Sequence, residues 1–364
     1  MKILIVYATA GAGHRKAAEA IYQGFQSSHT EHEVVLADSL DHALPYFKKS
    51  YSEAYTFLIT KLPAVWGFFF GMLDIPLMRP LVRILRRAYN FINAYGFHTY
   101  LQKEHFDYII STHFLGNEVS AALKRSGKIR SKIISVVTDY DVHSIWLSPG
   151  SDYYTVATDW TQRKIISLGI APEKVFVTGI PTHENFARPK NASTLRTKMS
   201  MQQDRFTVLV ATGSFGIGPI EEIIHSAKDF QVAVICGHNK SLFEKLKPLS
   251  SDTVKVFGLI DNMDEMMGLS DVMITKPGGL SISEALVSHL PMIFFNAIPG
   301  QETNNIRVLA SYGVGISDVS VAQIPTELKR LQSNPAEFDQ LKEKIKVIAR
   351  PHAVGPHGAA DAVG

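Results

Sequence analysis

The chain has 364 residues, more than one hydrophobic core usually supports, since single cores stop growing near about 250–300 residues. With 46% hydrophobic and 20% charged residues the composition is globular, which excludes a coiled coil, a collagen or a disordered chain. A formal charge of +3 is too small to mark a nucleic-acid binder, and a single cysteine, Cys236, excludes a disulfide framework or a thiolate zinc cage and points to a reducing compartment.

The N-terminal MKILIVY has one lysine before a short apolar run, but it leads straight into a glycine loop and a charged helix. It reads as a first strand over 2–8 and not as a signal peptide. Apolar, β-branched runs predict further strands over 33–37, 108–111, 133–138, 154–157 and 175–178. A second series follows over 207–211, 232–236, 254–257, 272–275 and 292–295. Continuous apolar strands separated by helix-length segments imply parallel sheets covered on both faces, and two series imply two doubly wound domains. The most polar stretch, 182–205, places the link. The division expected is 1–181, then 182–335, with a final segment 336–364 whose helix packs back on the first domain.

The segment 45–100 breaks the alternation, with many aromatics, three prolines after Pro45 and no good strand. Arg79, Arg83, Arg86 and Arg87 fall at helical spacing beside Leu77, Leu81, Val82, Ile84 and Leu85. Just before them, LPAVWGFFFGML carries Trp66, Phe68, Phe69 and Phe70 over about a dozen residues. A spanning helix needs roughly 20. The pattern fits an interfacial membrane element, and equally a helical insertion packed on its own domain with its arginines in solvent.

Four loops carry candidate chemistry. Gly11-Ala12-Gly13-His14 joins the first strand to a helix, whose free N–H groups and partial positive charge suit an anion. A dinucleotide fingerprint would have glycine where Lys16 stands, although Asp38 lies where a ribose-binding acid would. His14 at that helix start is expected to stay neutral and to accept a proton, or else to act as a capping residue. The second loop, Thr212-Gly213-Ser214-Phe215-Gly216-Ile217-Gly218, offers backbone amides to a diphosphate. In the third, Thr275-Lys276-Pro277-Gly278-Gly279-Leu280-Ser281, a strand turns on glycines into a helix bearing Glu284. A phosphate fits that helix start, and Glu284 suits the two hydroxyls of a ribose. The fourth, Pro299-Gly300-Gln301-Glu302-Thr303-Asn304-Asn305, is a polar cluster suited to sugar hydroxyls.

These pieces, with Val137-Thr138-Asp139, His143, Trp146, Ala157-Thr158-Asp159 and Gly179-Ile180-Pro181, occur in order through nearly the whole chain. In this the chain resembles the monogalactosyldiacylglycerol synthases and processive diacylglycerol glucosyltransferases. It is more distantly similar to the N-acetylglucosaminyltransferase that completes lipid II. The resemblance implies an α/β chain of GT-B fold: two Rossmann-like doubly wound parallel-sheet domains facing across a cleft. The first would bind a lipid acceptor, with 45–100 as its membrane-associating insertion, and the second a UDP-sugar.

Carried over to this sequence, the resemblance makes His14 the base that deprotonates the acceptor, with Asp139 as its catalytic companion. Gly213, Ser214, Gly216, Lys276, Gly278, Gly279 and Ser281 fall at the donor, Glu284 on its ribose and Ile260 on its uracil. Gln301 and Glu302 would touch the transferred sugar. Trp66, Phe69, Arg79, Arg83, Arg86, Arg87 and His143 would serve the acceptor and the membrane. The partners implied are UDP-galactose or UDP-glucose, diacylglycerol and anionic lipid, at the cytoplasmic face of the membrane and without nucleic acid. Asp139-Tyr140-Asp141 has the form of a metal-binding Asp-x-Asp. In the family pattern only Asp139 is expected, so neither a metal nor another cofactor is implied. The reaction expected is inverting hexosyl transfer that leaves a β-linked glycolipid. Three other readings are a UDP-N-acetylglucosamine 2-epimerase-like enzyme, a non-catalytic nucleotide-sugar sensor and, weakest, a nicotinamide-dependent oxidoreductase.

Overall fold

The structure is a computed structural model that describes residues 1–351 apart from 10, 76, 215 and 318. The side chains of Ser52, Tyr55, Thr56, Ile59, Thr60, Arg79, Pro80, Leu81, Arg83, Ala88, Phe91 and Ile92 also lie outside that description. Two compact units result. The first is Met1–Glu184 together with Ile298–Asn304 and Arg350; the second is Asn185–Ala297 with Asn305–Ala349.

The first unit is built on strands β1 (Lys2–Tyr7), β2 (Glu33–Asp38), β3 (Tyr108–Ser111), β4 (Lys132–Val136), β5 (Tyr153–Val156) and β6 (Val175–Val177). They pair in parallel in the order β2-β1-β3-β4-β5-β6. Ile3, Ile5, Ile110, Ile134 and Val136 face helix Ala12–Ser28 through Ala18, Ile21 and Phe25. Leu4, Val6 and Ile109 face the other way, onto Leu115, Val119 and Leu123 of helix Phe114–Arg125 and onto Phe97 and Leu101. Alternate side chains of one strand point to opposite faces, so continuously apolar strands need helices on both sides. The 45–100 segment is helical: Pro45–Lys61, Pro63–Leu73, Arg79–Asn93 and Tyr95–Glu104.

The second unit holds β7 (Thr207–Ala211), β8 (Gln231–Ile235), β9 (Val254–Phe257), β10 (Val272–Thr275) and β11 (Met292–Phe294). Their order is β11-β10-β7-β8-β9, again parallel. Of the final segment 336–364, residues 352–364 lie outside the described residues, and the terminal helix Pro335–Ile348 groups with the second unit. Its Phe338 and Leu341 lie on the cluster that contains Leu328 and Leu331. Its apolar stripe completes that core, and beyond it Arg350 reaches Asp159 of the first unit's own β5-to-helix turn at 3.7 Å.

Candidate active site

In each sheet the chain reverses its direction of growth at one place, and ligands of doubly wound folds bind at the carboxyl ends of the strands there. In the first unit that place lies between β1 and β3. The turn after β1 has Gly11 at φ +133°, a left-handed conformation that a side chain would strain, and it caps helix Ala12–Ser28 without a side-chain hydrogen bond. His14 sits in that helix's first turn. Its Nδ1 lies 2.8 Å from the Thr112 carbonyl oxygen at the end of β3 and 2.9 Å from Thr138 Oγ1 beyond β4. The Thr112 hydroxyl donates back to the His14 carbonyl at 2.8 Å. A carbonyl only accepts, so Nδ1 carries the hydrogen and Nε2 keeps its lone pair.

Burial pushes the pKa of His14 down; the negative charge of Asp139 and the Thr112 carbonyl pull in the other direction without cancelling the shift. The ring of His113 meets that of His14 edge to face at 4.6 Å. His113 caps helix Phe114–Arg125 by accepting the Leu115 N–H at Nδ1, 3.1 Å away. Its pKa lies well below the ordinary value, first through burial and then through His14.

Asp139 is buried, and each of its oxygens has a donor: Gln301 Nε2 at 2.9 Å and Trp146 Nε1 at 3.4 Å. Asp141 instead pairs with Lys164. The two carboxylates of the Asp-x-Asp thus have separate partners, and among the described residues the three-ligand cluster is His29, Glu31 and His32, just past the carboxyl end of helix Ala12–Ser28. Asp38 is buried as well. It accepts from the Thr9 hydroxyl at 2.5 Å and from the Leu40 N–H at 2.9 Å, which ties down the glycine turn and takes it from the role of a ribose acid.

In the second unit the reversal lies between β7 and β10. Gly213, Ser214 and Gly216 follow β7; Lys276, Gly278, Gly279 and Ser281 follow β10, so these two groups share one sheet edge. Helix Gly279–Val287 starts at Gly278 with no side-chain cap, and nothing stands within 4 Å of where a Gly278 Cβ would be. Its first N–H groups thus have no capping side chain, which makes this helix start a candidate anion site. Asn305 Nδ2, wholly buried, donates to the Pro277 carbonyl at 3.0 Å and fixes the turn. Glu284 is buried in the second turn of this helix, and Ile260 follows β9 at the sheet's far edge. The Pro299–Gln301 turn, although it follows β11 in sequence, is part of the first unit. There Gln301 reaches Asp139, and one oxygen of Glu302 accepts the Ile298 N–H at 2.7 Å.

The residues assigned to acceptor and membrane divide. Helix Pro63–Leu73 has no buried residue; Phe68 is 69% exposed and Phe69 49%, whereas Trp66 is half-buried. Phe70, expected at the surface, turns inward onto the His143 ring at 4.2 Å. His143 is buried and donates from Nε2 to the Phe70 carbonyl at 2.9 Å, since its Nδ1 accepts the Ile145 N–H at 3.0 Å. It is a strut and not a surface residue. Arg86, expected at the membrane, turns to its own unit: its guanidinium lies 2.7 Å from Glu118 Oε2 and it donates to the Ile145 carbonyl at 3.3 Å. Arg87 is half-buried, and the side chains of Arg79 and Arg83 lie outside the description. Thr112 and His113 went unassigned at the sequence level, and Asn305, read as part of a sugar-facing cluster, instead holds the Pro277 turn. The one available signal was polar residues directly after apolar strands at a reversal point.

Two parallel doubly wound sheets, each with a glycine turn and a helix start at its reversal point, define the GT-B class of glycosyltransferase folds. MurG of Acinetobacter baumannii aligns over 100% of this chain and 98% of its own at a TM-score of 0.57 and 16% identity. HepE of Anabaena in complex with UDP-glucose aligns over 100% and 98% at a TM-score of 0.59 and 14% identity. The profile of monogalactosyldiacylglycerol (MGDG) synthase matches residues 14–182, and that of the glycosyltransferase family 28 C-terminal domain matches 207–349. A processive diacylglycerol beta-glucosyltransferase of Bacillus cereus (strain ATCC 14579) is 30% identical over 365 residues, covering 97% of this chain and 91% of its own. The chain belongs to this family of monogalactosyldiacylglycerol synthases and processive diacylglycerol glucosyltransferases.

Proposed function

We propose that the protein transfers a hexosyl group, with inversion, from a UDP-sugar to the hydroxyl of diacylglycerol. The observation that carries this reading is the His14 geometry: a neutral imidazole whose Nδ1–H is committed to Thr112, leaving Nε2 as a base at the reversal point. The acceptor hydroxyl gives its proton to Nε2 as its oxygen bonds to the anomeric carbon. The bond from that carbon to the diphosphate breaks, and UDP leaves with the electron pair. The Asp139 charge favours the imidazolium that forms. The leaving diphosphate gains charge, and the uncapped start of helix Gly279–Val287 is suited to receive it without a metal. Glu284 takes the ribose hydroxyls. Glucose is favoured as the transferred sugar by the names of the curated relatives.

The test supplies purified protein with diacylglycerol vesicles and each donor in turn. The expected product is a β-glucosyldiacylglycerol from UDP-glucose, formed at an unchanged rate with a chelator present. Turnover of the donor with no glycolipid product overturns the reading.

The acceptor lies in a membrane, and among the described residues no helix is long and apolar enough to cross one. Val65, Phe68, Phe69, Leu77, Ile84 and Leu85 are exposed apolar residues along two successive helices and the turn between them. We assign this face to peripheral binding at the anionic cytoplasmic leaflet. Replacing Phe68 and Phe69 together by Ser is expected to weaken vesicle sedimentation by about tenfold or more, because each ring buries apolar area in the headgroup region. Unchanged sedimentation would remove this face from consideration.

A further inference from the structure

Helix Pro63–Leu73, which also meets helix Pro45–Lys61, turns one side to the Pro299–Gly300 turn. Gly67 stands against the Pro299–Gly300 turn so closely that an added Cβ would lie 2.6 Å from Pro299 Cβ and 3.3 Å from the Pro299 backbone. On the same side a Cβ on Gly300, which has φ +86°, would meet the Phe70 ring at 2.8 Å. One turn of backbone is thus packed directly on a helix that contains no buried residue. A glycine in mid-helix weakens the helix unless something needs the space, and at Gly67 the need is the proline.

The helix's carboxyl end is fastened to a second segment. His143 Nε2 donates to the Phe70 carbonyl at 2.9 Å, and the Ser144 N–H donates to Asp74 Oδ1 at 3.2 Å. That segment runs back through Trp146 to Asp139, which Trp146 Nε1 meets at 3.4 Å. The Pro299–Gly300 turn continues into Gln301, whose Nε2 meets the other oxygen of Asp139 at 2.9 Å. The helix therefore braces both partners of the Gln301–Asp139 hydrogen bond, one through Gly67 and Phe70, the other through His143 and Ser144. Its opposite side, with Phe68 and Phe69, is bare.

We propose that Gly67, Phe70 and His143 are positioning residues through which a lipid surface, by seating the bare side of helix Pro63–Leu73, sets the Gln301–Asp139 pair and so the affinity for the donor sugar. This rests on the functional reading above and adds to it a coupling between membrane and donor. An element packed on a site through one side, with Phe68 and Phe69 exposed on another, shifts with whatever covers those exposed rings. The coupling is reciprocal: the factor by which a lipid surface tightens donor binding is the factor by which donor tightens binding to that surface.

The experiment measures UDP-glucose binding to the full chain by calorimetry, with and without vesicles of phosphatidylglycerol and phosphatidylcholine that contain no diacylglycerol. The vesicles are expected to tighten UDP-glucose binding about fivefold or more, and UDP-glucose to tighten vesicle sedimentation by the same factor. Gly67→Ala, and independently Phe70→Leu, should still sediment with vesicles and still bind UDP-glucose, but with the vesicle effect lost. In the transfer assay both should raise the donor KM with kcat retained, which loss of fold would not do. Equal UDP-glucose affinity with and without vesicles in the native chain overturns the proposal, as does full coupling in both variants. Absence of glycolipid product in the transfer assay sinks the functional reading instead, and leaves the coupling measurement to stand on its own.

Discussion

Replacing His14 by Ala is expected to lower kcat/KM for glycolipid formation by about 10²- to 10⁴-fold, the usual contribution of a positioned base, while UDP and vesicle binding persist. The pH profile carries the sharper test. His14 must be neutral to accept a proton, so the rate is full above its pKa and falls as pH drops through it. Burial holds that pKa below the ordinary value. The acid limb of kcat/KM should therefore lie below about pH 6.5. Asp139→Asn removes the charge that pulls the pKa back up, so the limb should move further toward acid while the maximal rate falls with the loss of the imidazolium's partner. A native limb at or above pH 6.5, or one that Asp139→Asn moves toward alkali, would take the base role from His14. Stability has the same sign. His14, His113 and His143 all have depressed pKa values, so the unfolded chain binds more protons below about pH 6.5 and stability declines from there as pH falls. Initial rates and an unfolding curve at each pH separate the two effects.

The strands were legible because each is a short apolar run between helix-length segments, a pattern that parallel sheets with two covered faces impose on any sequence. Eleven were expected, and among the described residues eleven are found, with ends moved by a residue or two. The glycine turns were legible for a similar reason, since a chain entering a helix from a strand end must turn sharply there. Contacts between distant segments were not. Thr112 and Thr138 lie 98 and 124 residues from His14, and only the β1-β3-β4 adjacency brings them to one nitrogen. Gln301 was read as a sugar contact among the second unit's residues, yet it reaches across 162 residues to Asp139 of the first. Nothing in the local pattern of Pro299–Gln301 carries that information. The basic helix shows the opposite failure. Arginines at helical spacing look alike whether they face lipid or a buried carboxylate, and Arg86 faces Glu118 because helix Arg79–Asn93 packs on helix Phe114–Arg125.

That ion pair gives the second large expected effect. Glu118 is 4% exposed at its side chain and Arg86 17%, and Asn90 Nδ2 donates to the same carboxylate oxygen at 2.7 Å. Arg86→Met leaves the carboxylate buried with an amide as its remaining donor. Removing one partner of a buried pair costs about 3–5 kcal/mol, and because Asn90 stays, the lower end applies. About 3 kcal/mol corresponds to a fall of roughly 6–12 °C in Tm for a unit of this size. The double variant Arg86→Met with Glu118→Leu removes the stranded charge together with its partner, so it should recover most of that loss. Vesicle sedimentation of Arg86→Met below its transition should match the native chain, because a guanidinium bound to Glu118 offers nothing to a headgroup. The reverse pattern, an unchanged Tm with weakened sedimentation, would return Arg86 to the membrane surface. Calorimetric unfolding and sedimentation on the same preparation distinguish the two, and the comparison shows whether helix Arg79–Asn93 is fixed to the first unit by charge on its inner side while its outer side, with Ile84 and Leu85, is left for lipid.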